Sequence, residues 1–520
     1  MPSPSDIRRV TLQLSAFTRS LKLVGLARSH LGDGVIQEKG TALKLALPGR
    51  RLVAAMVSVL LATLGLGVKA APAAMADPTI GLRAANESTE VKRPPGRAAW
   101  INPGIYVVAQ DGPFELRATR PASGGPATLT RVLPGGATQE LDPALIEGMG
   151  ALKTFFMIRI ENASGKVVKR KAMNFCPNSW EPERVNDSGP SSVTYPYFCS
   201  DGPLTRGMVW GIDQGWGTSA FDFGLRLKAP KGRYTMRTNI TKRFVEALEI
   251  PPELASVTTT LKLVNSKRGG CHHCGHSGGV AARQQQLSAD VPTIPNPDPA
   301  ILPDLAALPA FGMRVTNGDR QFLRFGANVW VAGASSLHVE GFRRPSEDLM
   351  DAYQYFYESG EIIGKAPVGT FEYDNRRGHT HWHFRQFAGY RLVDAASDEV
   401  VKSTKEAFCL VPTNAIDLTL PGAVYRPDEI GFGGSSCGQE SSLWVREVLP
   451  LGWGDTYIQS RPGQSFNITN VPNGTYYVEV EANPGGLLHD GDPTNNVERR
   501  KVIIKGKKGN RHVTVPPLSD

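Results

Sequence analysis

The chain has 520 residues, a formal net charge of +9 and six cysteines, which is too long for one ordinary domain and long enough for two compact cores. Residues 1–76 hold ten Lys/Arg against three Asp/Glu, so only about +2 belongs to the remainder. The high pI is therefore a property of the leading segment and excludes a nucleic-acid footprint.

In chain order, the first legible element is RLVAAMVSVLLATLGLGVKAAPAAMA, from Arg51 to Ala76. A basic flank, an apolar run and a small-residue ending read as an export signal, with Ala74, Met75 and Ala76 as the cleavage site before Asp77. The same run, from Leu52 to about Val68, is barely the length of a single membrane anchor. Arg50 and Arg51 permit a twin-arginine route. The mature chain is then expected to be secreted or held at the cell envelope, where its cysteines can pair.

After Asp77 the chain is rich in Gly, Pro, Thr and Val, and segments such as RYTMRTNI and TYYVEVEANP alternate polar and apolar residues. That period predicts an all-β fold of two tandem β-sandwich domains, over 77–265 and 301–510, with a tail at 511–520. One helix is expected over PSEDLMDAYQYFYESG, capped by Ser346.

The two halves repeat each other. Ile158 to Asn178 aligns with Tyr390 to Asn414, each carrying a strand, a turn, V-V-K and then F-C. Cys199 and Cys437 are each followed by G-W-G, and Pro230 to Tyr234 answers Pro472 to Tyr476. Four matches in one order predict a duplication, and with it the pairs Cys176–Cys199 and Cys409–Cys437. Cys271 and Cys274 fall in CHHCGH, within a Gly- and Pro-rich linker over 266–300. There they either close a small disulfide or, with His272, His273 and His276, relay copper.

Within GHTHWHF, His379, His381 and His383 alternate, so on an extended strand they project from one face. Convergence on one ion requires that strand to curve. Three imidazoles suit zinc, copper or nickel, copper(II) most tightly, and leave a coordination position open. The first copy has no histidine in the aligned run GALKTFFMIRI, which marks the cluster as functional and not architectural.

GHTHWHF, STKEAFCL, GWGDTY and NITNVPNGTYYVEVEANP followed by DPTNNV, together with FLRFGANVWVAGASSLHVEG, resemble the lysyl oxidase catalytic domain from about Leu302 to Ile504. The resemblance implies a copper-dependent amine oxidase in which His379, His381 and His383 hold copper. It also implies that Lys405 and Tyr457 cross-link into lysine tyrosylquinone. That cofactor's carbonyl would engage a primary amine or a lysine-containing substrate, and O2 would reoxidise it, giving aldehyde, ammonia and hydrogen peroxide. Asp455, two residues from Tyr457 and on its face of an extended strand, is the expected base. The first copy has Ala172 and Ala220 where the second has Lys405 and Tyr457, so it reads as a non-catalytic docking or shielding module. Unlike the animal domains, this one has only Cys409 and Cys437 to pair, and Gly389 lies where those domains place a further histidine. The competing readings are a non-enzymatic exported copper-binding sandwich, which gives no reason for Lys405 and Tyr457, and a cupin-like dioxygenase, which the third histidine argues against.

Overall fold

The computed structural model describes residues 79–121, 125–221, 224–266, 291–358, 360–376, 380–403, 405, 407–429 and 434–518. The export signal, the CHHCGH segment and His379 lie outside the described residues. Those described belong to one compact unit, residues 74–520, and among them the only α-helix is the short Lys242–Ala247. The rest is strand and turn, as the alternating pattern requires.

Among the described residues the first half builds four sheets and the second three; apart from the two-stranded sheet of Leu225–Leu227 and Ala99–Ile101 in the first, they match in order. In the first, the central sheet runs Val167–Phe175, Ala151–Asn162, Gly232–Ile240, Ser256–Asn265, Ser88–Arg93. In the second it runs Glu399–Lys402, Ala388–Val393, Gly474–Ala482, Val497–Lys507, Asn510–Thr514. Only the last pairing differs, parallel in the first and antiparallel in the second. Alternation explains why these segments are strands. Tyr234, Met236, Thr238 and Ile240 are buried on one, and Tyr476, Val478, Val480 and Ala482 on its counterpart. Both tyrosines donate their hydroxyl to a proline carbonyl four residues back, Pro230 at 2.9 Å and Pro472 at 3.0 Å.

The second sheets correspond as well. Ile80–Ala84, Ile105–Ala109 and Trp216–Ser219 line up as Pro303–Thr316, Phe322–Ala334 and Trp453–Tyr457 do. The third sheet of the first half runs Gly207–Ile212, Phe114–Thr119, Thr128–Val132, Thr138–Leu141. Its counterpart runs Trp444–Leu449, Leu337–Phe342, Leu349–Glu358, Glu361–Asp374 and then adds two strands, His381–Arg385 and Ala407–Phe408. Disulfides join Cys176 to Cys199 and Cys409 to Cys437, each with Cα atoms 5.9 Å apart.

The helix expected over 345–360 is instead the strand Leu349–Glu358. Met350, Ala352, Gln354 and Phe356 are all buried on it, a period of two that the many aromatic residues obscured. Pairing with Leu337–Phe342 on one side and Glu361–Asp374 on the other outweighs the capping signal. Ser346, the expected cap, sits at φ 72° in the turn before the strand.

Candidate active site

The two added strands build the site. His381–Arg385 pairs with Glu361–Asp374, setting His383 opposite Glu372 and His381 opposite Asp374. On its other edge Phe384 pairs with Phe408 and Arg385 with Ala407, so the histidine strand is hydrogen-bonded to the segment between Lys405 and Cys409. His381 and His383 share a face with ring centroids 4.5 Å apart. His383 is buried and His381 half-buried. Burial lowers the pKa of the His381 imidazole, and the positive charge of Lys405 adds to this while Asp374 opposes it. Burial acts to raise the Asp374 carboxyl, but hydrogen bonds from Arg376 outweigh it and hold the group at about 2. Two imidazoles on one strand face, with burial favouring the neutral form of His381 and the Asp374 carboxylate beside it, fit a borderline divalent transition ion.

Lys405 owes its position to a broken strand. In the first half Val167–Phe175 stays paired with Ala151–Asn162 along its length. In the second, pairing in the central sheet ends at Lys402, and the chain rejoins a different sheet at Ala407. Lys405 lies in that crossing, buried, with Nζ donating to the Ala407 carbonyl at 3.0 Å. The same Nζ is 4.5 Å from the ring centroids of both Phe408 and Tyr457. Gly463, at φ 81°, makes room for it, since a Cβ there would come within 2.6 Å of Lys405 Cβ. Burial pulls the Lys405 amine down to about 8 against the attraction of Asp455. A lysine close to neutrality beside a tyrosine ring is what a cross-link between them requires.

Tyr457 lies at the end of Trp453–Tyr457, opposite Ala327 of Phe322–Ala334. Its hydroxyl donates to the Cys409 carbonyl at 3.3 Å, and its ring meets Phe408 edge-on at 4.9 Å. Asp455, on the same face, is buried, and its Oδ2 has no hydrogen-bond partner among the described residues. Burial raises this carboxyl well above the usual range while Lys405 opposes the shift. The Tyr457 phenol is also pushed up, by burial first and then by Asp455 and Glu447.

Glu447 is a member of this group that the sequence did not reveal. It is fully buried, accepts the Leu410 amide at 2.8 Å, and its Oε1 has no partner among the described residues. Burial raises its carboxyl well above the usual range, the Leu410 amide opposing and Asp455 adding. Glu447 also approaches the sulfurs of Cys409 and Cys437 closely enough to resemble a metal cluster, but their disulfide leaves no thiolate to bind an ion. Its only sequence signal is a charged residue inside the apolar run of Trp444–Leu449.

A second group of oxygen donors lies away from these residues. Asp304 accepts the Asn495 side chain at 2.8 Å, and Asp490 accepts the Leu305 amide at 3.1 Å. The Oδ1 atoms of Asn495 and Asn496 are buried without hydrogen-bond partners among the described residues. Burial raises both carboxyls, and each has a further acidic neighbour that adds to the shift. These all-oxygen donors suit a hard divalent cation. Asp304 lies far from the others in sequence, which hid the group.

The histidine strand, the buried lysine and the tyrosine ring thus come together on an all-β scaffold. Residues 357–513 match the lysyl oxidase family model. Over 233 residues the chain is 26% identical to lysyl oxidase homolog 1 of Homo sapiens, covering 44% of this chain and 37% of that protein. It is 24% identical over 255 residues to lysyl oxidase homolog 4 of Mus musculus, covering 48% of this chain and 30% of that one. The C-terminal part of the chain is thus similar to the lysyl oxidase family, and the chain spans only about a third of the length of these relatives.

Proposed function

We propose that this is an exported copper-dependent amine oxidase, converting primary amines, lysine side chains of peptides included, to aldehydes with O2 and releasing ammonia and hydrogen peroxide. One observation carries the reading. The buried Lys405 amine lies 4.5 Å from the Tyr457 ring centroid, on a segment paired with the strand of His381 and His383. His379, His381 and His383 would hold copper, and Lys405 and Tyr457 would supply lysine tyrosylquinone. Once formed, that group supplies a carbonyl electrophile and electron sink that no ordinary side chain offers.

The chain's own residues do the remaining work. Burial lowers the pKa of the Lys405 amine to about 8 and so enlarges its neutral, nucleophilic fraction. The Cys409 carbonyl fixes the Tyr457 hydroxyl, and Phe408 packs against its ring and excludes water. Asp455 is the proton acceptor in this reading, since it is buried on the face of Tyr457 and burial raises its affinity for protons. The disulfides fit an oxidising compartment outside the cytoplasm. Residues 77–265 form the non-catalytic domain and 301–510 the catalytic one, joined by the linker at 266–300.

The test is a visible spectrum of the copper-loaded, aerated protein with and without phenylhydrazine, which traps carbonyl cofactors. The expected result is a quinone band that shifts on adduct formation and is absent from Lys405→Ala and Tyr457→Phe. A spectrum of simple copper–imidazole with no adduct would overturn the oxidase and leave a copper-binding sandwich.

A further inference from the structure

We infer that the first half is a positioning module of the reaction site, its segment Thr205–Gly207 completing the sheet that carries Asp455 and Tyr457. The inference rests on the amine oxidase reading above. Trp453–Tyr457 is paired on one side with Phe322–Ala334 and on the other only with the two-residue strand Asn414–Ala415. That short strand continues into Ile416 and Asp417, whose amides both donate to the Gly452 carbonyl, at 2.8 and 3.0 Å. The Thr413 hydroxyl accepts the Thr456 amide at 2.6 Å and donates to the Gly454 carbonyl at 3.1 Å. The backbone of 413–417 is thus the outer wall of the tyrosine-bearing strand.

By itself that wall would be a bare edge, with carbonyls and amides unpaired. The first half covers it. The Arg206 and Gly207 amides donate to the Ile416 carbonyl at 2.6 and 3.1 Å, and the Leu418 amide donates back to the Gly207 carbonyl at 3.0 Å. The Thr205 hydroxyl donates to the Ala415 carbonyl at 3.2 Å. Gly207 and Asp417 form a parallel bridge, so Gly207–Ile212 of the first half meets the second as a strand and not as a loop.

Apolar packing follows the same line. Ile416 is fully buried in a small cluster with Ala306, Leu308 and Trp330, against which Leu204 of the first half packs. Phe198 meets Trp453, the first residue of the tyrosine strand, edge-on at 6.2 Å. Gly207 is needed for this approach, because a Cβ there would collide with the Asp417 carboxylate and lie 2.7 Å from Thr419 Oγ1.

Removing the contact would leave the Ile416 and Ala415 carbonyls and the Leu418 amide without partners and loosen the wall that sets the Asp455 and Tyr457 backbone. The first half has Ala172 and Ala220 where the second has Lys405 and Tyr457, yet it keeps the framework, which this role explains. Thr205, Arg206 and Gly207 are positioning residues, since none is among the residues that meet Lys405 or Tyr457.

The experiment uses the full-length chain, metal-free for hydrogen exchange and loaded with copper and O2 for peptide mapping. In Gly207→Val, exchange at the Ile416, Leu418 and Thr456 amides is expected to rise tenfold or more, and the yield of peptides joined through Lys405 and Tyr457 to fall by a similar factor. Adding Asp417→Ala together with Thr419→Ala, which removes both side chains that a Cβ at 207 would meet, restores both. If Gly207→Val does not fold, Thr205→Val decides, with a two- to fivefold rise in exchange over 413–418 while Gly232–Ile240 exchanges as before. Wild-type exchange over 413–418 in the folded variant overturns the inference. A wild-type chain that never forms the Lys405–Tyr457 link overturns the oxidase reading instead, and the exchange data still decide the positioning role.

Discussion

The two halves share strand order, disulfide placement and a tyrosine hydroxyl bonded to a proline carbonyl, yet only one gathers reactive side chains. The difference lies in two local changes. In the first half Val167–Phe175 runs unbroken in its sheet, and Ala172, opposite Met157, is an ordinary exposed strand residue. In the second, the matching strand stops at Lys402 and frees Lys405 to turn into the interior. The second change is the added strand His381–Arg385. Matching Tyr234 to Tyr476 makes Phe156, opposite Ile240, equivalent to Ala388, opposite Ala482, and counting back places Met149 and Ala151 where the second half has His381 and His383. A reactive site can therefore arise on a duplicated sandwich by breaking one strand and adding another, while the core stays as it was.

This contrast gives the largest expected effect. Lys405→Ala is expected to lower amine turnover by about a thousandfold or more, because the residue belongs to a unit whose members fail together. Its mirror, Ala172→Lys with Ala220→Tyr, is expected to add nothing to hydrogen peroxide output, since the lysine would stand on an exposed strand and the tyrosine in a buried site. Peroxide release from a panel of primary amines reads both. Activity gained by the mirror variant would show that side-chain identity suffices without the strand break.

Much of this was legible in the sequence because it is written locally. Alternation gave the strands of Gly232–Ile240 and Gly474–Ala482, and repeated F-C and G-W-G landmarks gave the two disulfide pairs found among the described residues. The histidines, Lys405 and Tyr457 stood out through motifs. What stayed hidden depends on residues remote in sequence. Glu447 gains meaning only when Leu410 and Asp455 close around it, and the Asp304 group only when 490–496 folds back. Thr205–Gly207 has no motif, because its part is played by backbone atoms facing Ile416. The strand Leu349–Glu358 was misread because an acidic turn preceded aromatic residues whose period of two shows once both neighbours pair.

The second effect is a pH dependence found in one half only. Lys405 falls from 10.5 to about 8 on burial, against the pull of Asp455. Below about pH 8 both folded and unfolded chains hold this proton, and the folded chain bears the full cost of a buried charge. Between about 8 and 10.5 the unfolded chain holds more protons, so stability rises with pH. The rise is expected to total roughly 3 kcal/mol at most, in metal-free protein whose cofactor has not formed. Urea midpoints across this range, compared with those of Lys405→Met, isolate it. Equal slopes in the two proteins would mean that Lys405 titrates as a solvated lysine.

A smaller effect probes the space made for that lysine. Gly463→Ala combines a left-handed backbone with a Cβ crowding Lys405, at an expected cost of about 1–3 kcal/mol. Gly165, at φ 78° with open space around it, is the control from the first half. There, alanine should cost only the backbone term of about 1 kcal/mol. Thermal unfolding of the two variants gives the comparison, and equal losses would remove the crowding argument.

The smallest effect tests the common framework itself. Tyr234 and Tyr476 are both nearly buried, begin equivalent strands, and donate to Pro230 and Pro472 at 2.9 and 3.0 Å. Phenylalanine preserves the ring and removes only the hydroxyl, leaving a carbonyl short of a donor, so each substitution is expected to cost about 0.5–1.5 kcal/mol. Equivalence predicts more than a common size. The halves share a buried edge at Gly207 and Asp417 and a continuous apolar core, so the two losses should appear in one cooperative transition and add in the double variant, the sites having no partner in common. Two resolved transitions, each moved by one substitution, would mean that the halves unfold separately. The first half could then release the 413–417 wall while its own fold persists.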